Sequence, residues 1–353
     1  MSETAQRTAG AVDQPPDARP PAGGPWPWLR KAAAQAVQQR EATVLVVVVL
    51  LVVYFGFIST VGRSTFFTSV NIINMSQIAG PIVIIAIGEV LLLICGEIDL
   101  SPGFVYLFAP FLMHYLIDYY GFPVILAILA VLVMGLLVGW VNGFLVVKLG
   151  LPSFIATLGT GFVLYGITLT TSNATQASIP VAAVGIGKWI GGYSYAEIVW
   201  ALILVAIFHV VLTRTRWGLH TIAVGSNQLG AREAGINVAR IKYGSFMITA
   251  VLGAFVGLQI AFQTSVIDPS AGGYTPMFYS VAAAVIGGTA MLGGSGTIIG
   301  AFLGSVMLAV LTDGFNVIGI SAYPLQYIFG AAILIAMIAN VQLTRLGASG
   351  RRR

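Results

Sequence analysis

Charge is what this 353-residue chain has least of: 8% of its residues are Asp, Glu, Lys or Arg, against about a quarter in ordinary soluble domains. That scarcity excludes a water-soluble globular protein of this size. Cysteine is almost absent as well. Cys95 stands alone in an apolar run, which excludes a disulfide framework. The three histidines, His114, His209 and His220, are scattered and match no ligand spacing, so no metal site is expected. No HExxH motif and no Ser/His/Asp set in a polar context is present, and no catalytic residue is expected. "VGIGKW" (184–189) comes nearest to a phosphate-binding loop, but it lacks the GxxxxGK[ST] spacing and puts Trp after Lys188.

What is present is hydrocarbon: 58% of the residues are hydrophobic, in repeated runs close to the length, about 20 residues, that crosses a bilayer core as a helix. The pattern predicts an all-α polytopic membrane protein with about ten spans, near 43–60, 73–95, 101–117, 122–147, 153–171, 196–213, 243–263, 278–292, 297–312 and 323–343. Residues 1–42, with the Pro- and Gly-rich "VDQPPDARPPAGGPWPW", read as a disordered tail. They are too polar and too long for the n-region of a cleaved signal. The permease-like membrane domain runs over 43–344, with a cytoplasmic loop at 214–242, and a basic tail follows at 345–353.

Lys and Arg gather on the cytoplasmic side of membrane proteins. With the N-terminus inside, Arg63 and Lys188 fall outside and the other fifteen of the 17 Lys and Arg fall inside. Both termini are therefore expected in the cytoplasm. The positive charge is a topogenic signal, so no nucleic-acid partner is expected.

Two glycine seams are spaced for close helix packing: Gly135, Gly139 and Gly143 in "GLLVGWVNG", and Gly296, Gly300 and Gly304 in "GTIIGAFLG". Lipid provides no hydrophobic drive for helices to associate, so small residues that let backbones approach carry that role. Each seam precedes a proline-led segment, "LPSF" at 151 and "YPLQ" at 323, about five spans apart, which points to an inverted five-helix repeat.

Polar groups inside spans are costly and mark either interhelical hydrogen bonds or a pathway. Glu89 lies inside "AIGEVLLLICGEIDL", with Glu97 and Asp99 just beyond it. Asn71, Asn74 and Gln77 share one helical face, as do Gln259 and Gln263; Asn142, Thr157 and Thr160 add hydrogen-bonding capacity. Such a lining, rich in amides and carboxylates and poor in cations, would suit a neutral polyhydroxylated solute. "GEIDLSPG" (96–103) and "LGGSG" (292–296) read either as cytoplasmic turns or as breaks at membrane depth. In the former, Asp99 or Ser101 is placed to cap the next helix and Pro102 to occupy its first turn.

"SNQLGAREAG" has the grammar of a short helix. Ser226 or Asn227 caps it, Ala231 to Ala234 propagate it, and Gly235 closes it in the left-handed conformation. It is either a solvated loop helix or a handle for a soluble partner.

"AVGSNQLGAREAGINVARIK" resembles the cytoplasmic motif of ribose/xylose-type permeases, the membrane subunits of ABC importers for simple sugars. "GEIDLSPG", "LPSFIATLGT" and "AAAVIGGTAMLGGSGTIIGAFLGS" resemble further segments of that family, in the expected order over roughly 70–340. The resemblance implies a permease subunit of an ATP-driven sugar importer in the bacterial plasma membrane, itself without enzymatic activity. It implies a second permease subunit, a cytoplasmic ABC ATPase that carries the ATP-Mg, and an extracytoplasmic sugar-binding protein docking near 172–196 and 264–277. It further implies that Asn227, Gln228, Leu229, Ala231, Arg232, Glu233, Ala234, Gly235, Ile236 and Asn237 couple this chain to the ATPase. The family carries Gly-Gly before Ile-Asp-Leu, whereas Glu97 replaces the second glycine here and Glu89 adds another carboxylate nearby; extra acceptors along the pathway would favour a polyol or an unusual sugar over ribose. Rival readings are a permease of the same superfamily for nucleosides or branched-chain amino acids, an ion-coupled transporter with Glu89, Glu97 and Asp99 carrying protons, and a scaffold without flux.

Overall fold

A computed structural model describes residues 40–59, 62–270 and 274–319, with isolated helical positions at 327, 330, 331 and 334. Nearly all of the N-terminal tail, the tenth expected span with its "YPLQ" landmark, and the basic C-terminal tail lie outside the described residues. The helices are α1 (Arg40–Val53), α2 (Gly62–Thr65), α3 (Ser69–Ile94), α4 (Pro102–His114), α5 (Val124–Gly143), α6 (Ser153–Ser172), α7 (Val184–Gly187), α8 (Ala196–Arg214), α9 (Arg216–Ser226), α10 (Gln228–Glu233), α11 (Val238–Thr264), α12 (Tyr274–Ile286) and α13 (Ile298–Val317). Wider π-type turns continue α1, α4 and α5 through Ile58, Tyr119 and Lys148. Two short strands, β1 (Ala177–Ser178) and β2 (Val266–Ile267), pair antiparallel.

In hydrocarbon the backbone must satisfy its own hydrogen bonds, which is why apolar runs of this length become helices and loops stay short. Among the described residues, seven helices are long and apolar enough to cross a membrane. Two more of the expected spans, the third and eighth, form helices of 13 residues each. The ninth span is longer than its hydropathy predicted, running 20 residues to Val317. The apolar run ends at Thr312 and Asp313, but Asp313 is turned inward against Asn71, so the helix continues. The seventh span starts earlier than expected, at Val238, because the Asn237 side chain caps it by accepting the Arg240 N–H at 2.9 Å.

Two helices form the core. α11 packs on α3, α4 and α5, while α3 also meets α8, α12 and α13. From Ile82 to Ile94 nearly every side chain of α3 is enclosed. Glycine decides which helices approach most closely. A Cβ at Gly139 would lie 2.5 Å from the Phe246 carbonyl oxygen, and one at Gly143 would lie 2.7 Å from the Tyr243 ring. Gly135 faces Ala250, so this seam seats α5 on α11. In the second seam, Gly300 and Gly304 meet the Gly287 and Ala283 carbonyls at the end of α12, and Gly296 meets Thr289.

Candidate functional site

At the end of the bundle that the charge rule assigns to the outside lies a cleft of about 590 Å³. Asn71, Asn74 and Gln77 enter it from the first turns of α3, Gln263 from the last turn of α11, and Asp313 and Asn316 from the last turns of α13. Thr68 starts α3 by accepting the Asn71 N–H, which fixes the register of that polar face. The Asn71 side-chain amide donates to the Asp313 carboxylate at 2.6 Å and to the Phe66 carbonyl at 3.0 Å, so α3 is tied to α13 at the rim. Among the described residues the lining comprises five amide side chains, one carboxylate, Ile78 and Val317, without a cation. Amides donate and accept, and a carboxylate accepts strongly. This set matches vicinal hydroxyls and offers a free carboxylate ligand no counter-charge.

Asp313 and Asn316 were missed in the sequence, although an acid and an amide three apart in an apolar run satisfy the criterion that selected Asn71 and Asn74. Gln259 was expected beside Gln263 and is not. It is fully buried, and its Nε2 donates to the Ile190 carbonyl at 3.3 Å. Four residues turn a helix about 400°, so the pair diverges by about 40°. That offset lets the turn at Lys188–Gly192 cover one glutamine and leave the other open.

The remaining polar residues predicted for the pathway form a separate buried knot. Asp99, Ser101, Asn142 and Thr157 are fully enclosed. The Asp99 carboxylate accepts the Ser101 N–H at 2.8 Å. The Asn142 amide donates to Ser101 Oγ at 2.8 Å and approaches both Asp99 oxygens at 3.4 Å. Thr160 donates to Asn142 Oδ1 at 2.6 Å, and Thr157 Oγ1 accepts the Leu100 N–H at 3.0 Å. The knot fastens the irregular stretch between α3 and α4 to α5 and α6. Of the two candidate caps, Ser101 occupies the cap position but its hydroxyl makes no capping bond to α4, while Asp99 holds its N–H; Pro102 opens α4 as expected. The part of "GEIDLSPG" from Asp99 onward is thus buried within the bundle, whereas Leu292 of "LGGSG" is 86% exposed.

Glu89 is also fully enclosed, and neither of its carboxylate oxygens has a hydrogen-bond partner. The same holds for Glu197 at the start of α8, another residue the sequence reading passed over because it sits at a span boundary. Gly80 lets α3 approach it: a Cβ there would stand 2.6 Å from Glu197 Cβ.

The charged stretch between α8 and α11 holds two helices where one was expected. α9 begins at Thr215, whose hydroxyl accepts the Gly218 N–H, and α10 at Asn227, whose Oδ1 accepts the Gly230 N–H at 2.9 Å. Gly235, at φ +80°, closes α10 in the left-handed region. Ala231 anchors α10 in a small cluster with Cys95, Val224, Val238 and Ile241, against which Ile236 also packs. Gln228, Leu229, Arg232, Glu233, Ala234 and Asn237 remain exposed. An inward anchor and an outward polar face with one bare leucine leave a handle whose outer face no other described residue covers. Glu97 lies near that handle and away from the outer cleft, forming an ion pair with Lys242 at 2.5 Å.

On the opposite side, β1 pairs with β2, and Gln176 donates to the Asp268 carboxylate at 2.7 Å, linking the two expected docking loops. The Ser270 hydroxyl and then the Ser270 N–H hold the Asp268 carboxyl below the usual carboxylate range.

The profile of the family described as "Branched-chain amino acid transport system / permease component" matches residues 71–338. The chain is 37% identical over 292 residues to the xylose/arabinose import permease protein XylH of Sulfolobus acidocaldarius, covering 80% of this chain and 81% of that one. It is 30% identical to the fructose import permease protein FrcC of Rhizobium meliloti over 307 residues, 84% of each chain. The ribose import permease protein RbsC of Escherichia coli K12 is 30% identical over 299 residues, 82% of this chain and 91% of that one. No solved structure matches.

Proposed function

This chain belongs to the family of branched-chain amino acid transport system permease components, and from that premise we propose that it is the membrane-spanning subunit of an ATP-driven importer for a simple sugar. The family's description and the relatives' names point to different cargoes, amino acids in one case and sugars in the other. The outer cleft supports the sugar reading. The described lining, five amides and one carboxylate without Lys or Arg, suits a neutral solute with many hydroxyls and gives the carboxylate of an amino acid no counter-charge. The absence of a cation among the described lining residues, together with the sugar permeases this chain resembles, carries the proposal.

Hydrolysis belongs to a partner ATPase that binds the ATP-Mg, and this subunit performs no chemistry. A loaded sugar-binding protein docks on the outer loops joined by β1 and β2 and releases its cargo to the cleft. Closure of the ATPase moves α10 through the exposed Gln228, Leu229, Arg232 and Glu233. Helices seated on glycine seams then shift against one another. A second permease subunit completes the pathway, and both termini face the cytoplasm. A solute biases the two-state equilibrium only through contacts that differ between the states, which is why its lining groups belong at the mouth of a moving bundle.

The test is ATPase stimulation in the whole importer, reconstituted with its binding protein and presented with pentoses, hexoses, polyols, leucine and nucleosides. Stimulation by a neutral sugar or polyol is expected. Stimulation by leucine alone would refute the cleft reading, and uptake that ignores ATP but collapses with the proton gradient would favour an ion-coupled carrier.

A further inference from the structure

α3, like α11 beside it, reaches from the outer cleft to the base of the charged handle. Its first turns supply Asn71, Asn74 and Gln77 to the cleft. Its 26 residues span about 39 Å at 1.5 Å per residue. Its last carbonyl, Ile94, meets two other cytoplasmic segments at once. The Gly294 N–H donates to it at 2.8 Å. Gly225, in the last turn of α9, approaches so closely that a Cβ there would stand 1.6 Å from the same oxygen. Ser226 also donates to the Gly294 carbonyl, at 3.4 Å.

The Gly225 approach holds under compression, while the Gly294 hydrogen bond to Ile94 also resists separation. A surface that can push is not thereby able to pull, because a van der Waals contact separates at little cost. A charged side-chain pair at the junction adds to the resistance against separation. Glu97, three residues past the end of α3, pairs with Lys242 in the second turn of α11, immediately after the handle rejoins the bundle. Both side chains are largely enclosed, at 13% and 12% exposure, and Lys242 Nζ donates to Glu97 Oε1 at 2.5 Å. Separating them would leave two charges poorly solvated, which makes the pair costlier to open than an exposed surface bridge.

We infer that Glu97 and Lys242 form a two-way clamp that ties the exit of the α10 handle to the cytoplasmic end of α3, so that handle motion in either direction is delivered to the outer cleft. Neither residue lines the cleft, so both are positioning residues. This inference rests on the reading of α10 as the ATPase-facing handle. Glu97 has its task as an anion at the inner face, and the extra carboxylate needs no part in choosing the solute.

The experiment uses the complete importer in proteoliposomes and reads solute moved per ATP hydrolysed. Glu97→Gln and Lys242→Met should each lower that ratio by about tenfold, the size of coupling expected between contacting charged residues, with the ATPase still co-purifying and still hydrolysing ATP. The exchange of Glu97→Lys with Lys242→Glu should recover most of it. Detergent stability of each variant is measured alongside. An unchanged ratio in both single variants, or losses that the exchange does not recover, would overturn the clamp. Leu229→Asp on the exposed face of α10 tests the handle separately: loss of ATPase co-purification is expected, and retention would overturn the handle reading itself.

Discussion

α3 and α8 are equally apolar, yet 89% of the membrane window of α3 is buried inside the protein and only 22% of that of α8. Hydropathy places both in the membrane and says nothing about which one the bundle encloses. Lipid tails and protein interior are alike as apolar solvents, so no hydrophobic gradient sorts helices between them. Small and polar residues do the sorting. α3 carries Gly80 and Gly88, where it meets Glu197 and Thr249 at backbone distance, together with Asn71 and its bond to Asp313. α8 turns Val199, Leu202, Ile203 and Ile207 outward.

The contrast between enclosed and lipid-facing positions is best broken at a glycine seam. Gly139→Leu should cost about 3 kcal/mol or prevent assembly, because the side chain would enter the α11 backbone. Leu129→Ala, at a half-exposed position of the same α5, should change stability by less than about 0.5 kcal/mol. Unfolding of the purified subunit in detergent compares them, and equal losses would mean that α5 does not seat on α11 through its glycines.

A somewhat smaller effect separates two buried carboxylates. Asp99→Ala should destabilise by about 2 kcal/mol, since it leaves the Ser101 N–H without its acceptor and loosens Asn142. Glu89→Gln breaks no hydrogen bond and should shift thermal stability by under about 1 kcal/mol. A larger loss in the second variant than in the first would reverse the assignment of Asp99 as the fastener.

At the outer cleft, Asn74→Ala should lower uptake at limiting solute by about fivefold, the equivalent of one hydrogen bond of about 1 kcal/mol. Asn142→Ala, buried away from the cleft, should lower stability before it alters the concentration dependence of uptake. Uptake titrations on vesicles matched for protein content separate the two.

The smallest effect is at the outer loops. The Asp268 carboxyl is depressed in the folded state, so its contribution is complete above the ordinary carboxylate value and disappears as pH falls through the lowered one. The loop after α11 should therefore keep its protease resistance from neutral to mildly acid pH. Asp268→Asn should make it modestly more susceptible throughout, with no acid transition of its own.

Much of this was legible in advance because bilayer length and helix capping are local rules. Nine of the expected spans coincide with helices, seven of them long enough to cross, and Asn227 and Gly235 bound α10 where their side chain and φ demand. The amide face of Asn71, Asn74 and Gln77 does line a cleft. The polar residues as a group did not sort so simply. A three-residue spacing shows that side chains share a face but not what that face meets. Gln259 went to a neighbouring turn, Asn142, Thr157 and Thr160 to the knot around Asp99, and Glu97 to Lys242.

By itself the sequence determined that this chain lives in a bilayer as a bundle of helices, because backbone groups in hydrocarbon have no other way to be satisfied. Only the tertiary structure decided which polar groups line a cleft, which bond one another, and which pair across helix ends, as Glu97 and Lys242 do. Those outcomes depend on partners up to 242 residues apart, as with Asn71 and Asp313. No local periodicity encodes a partner that distant.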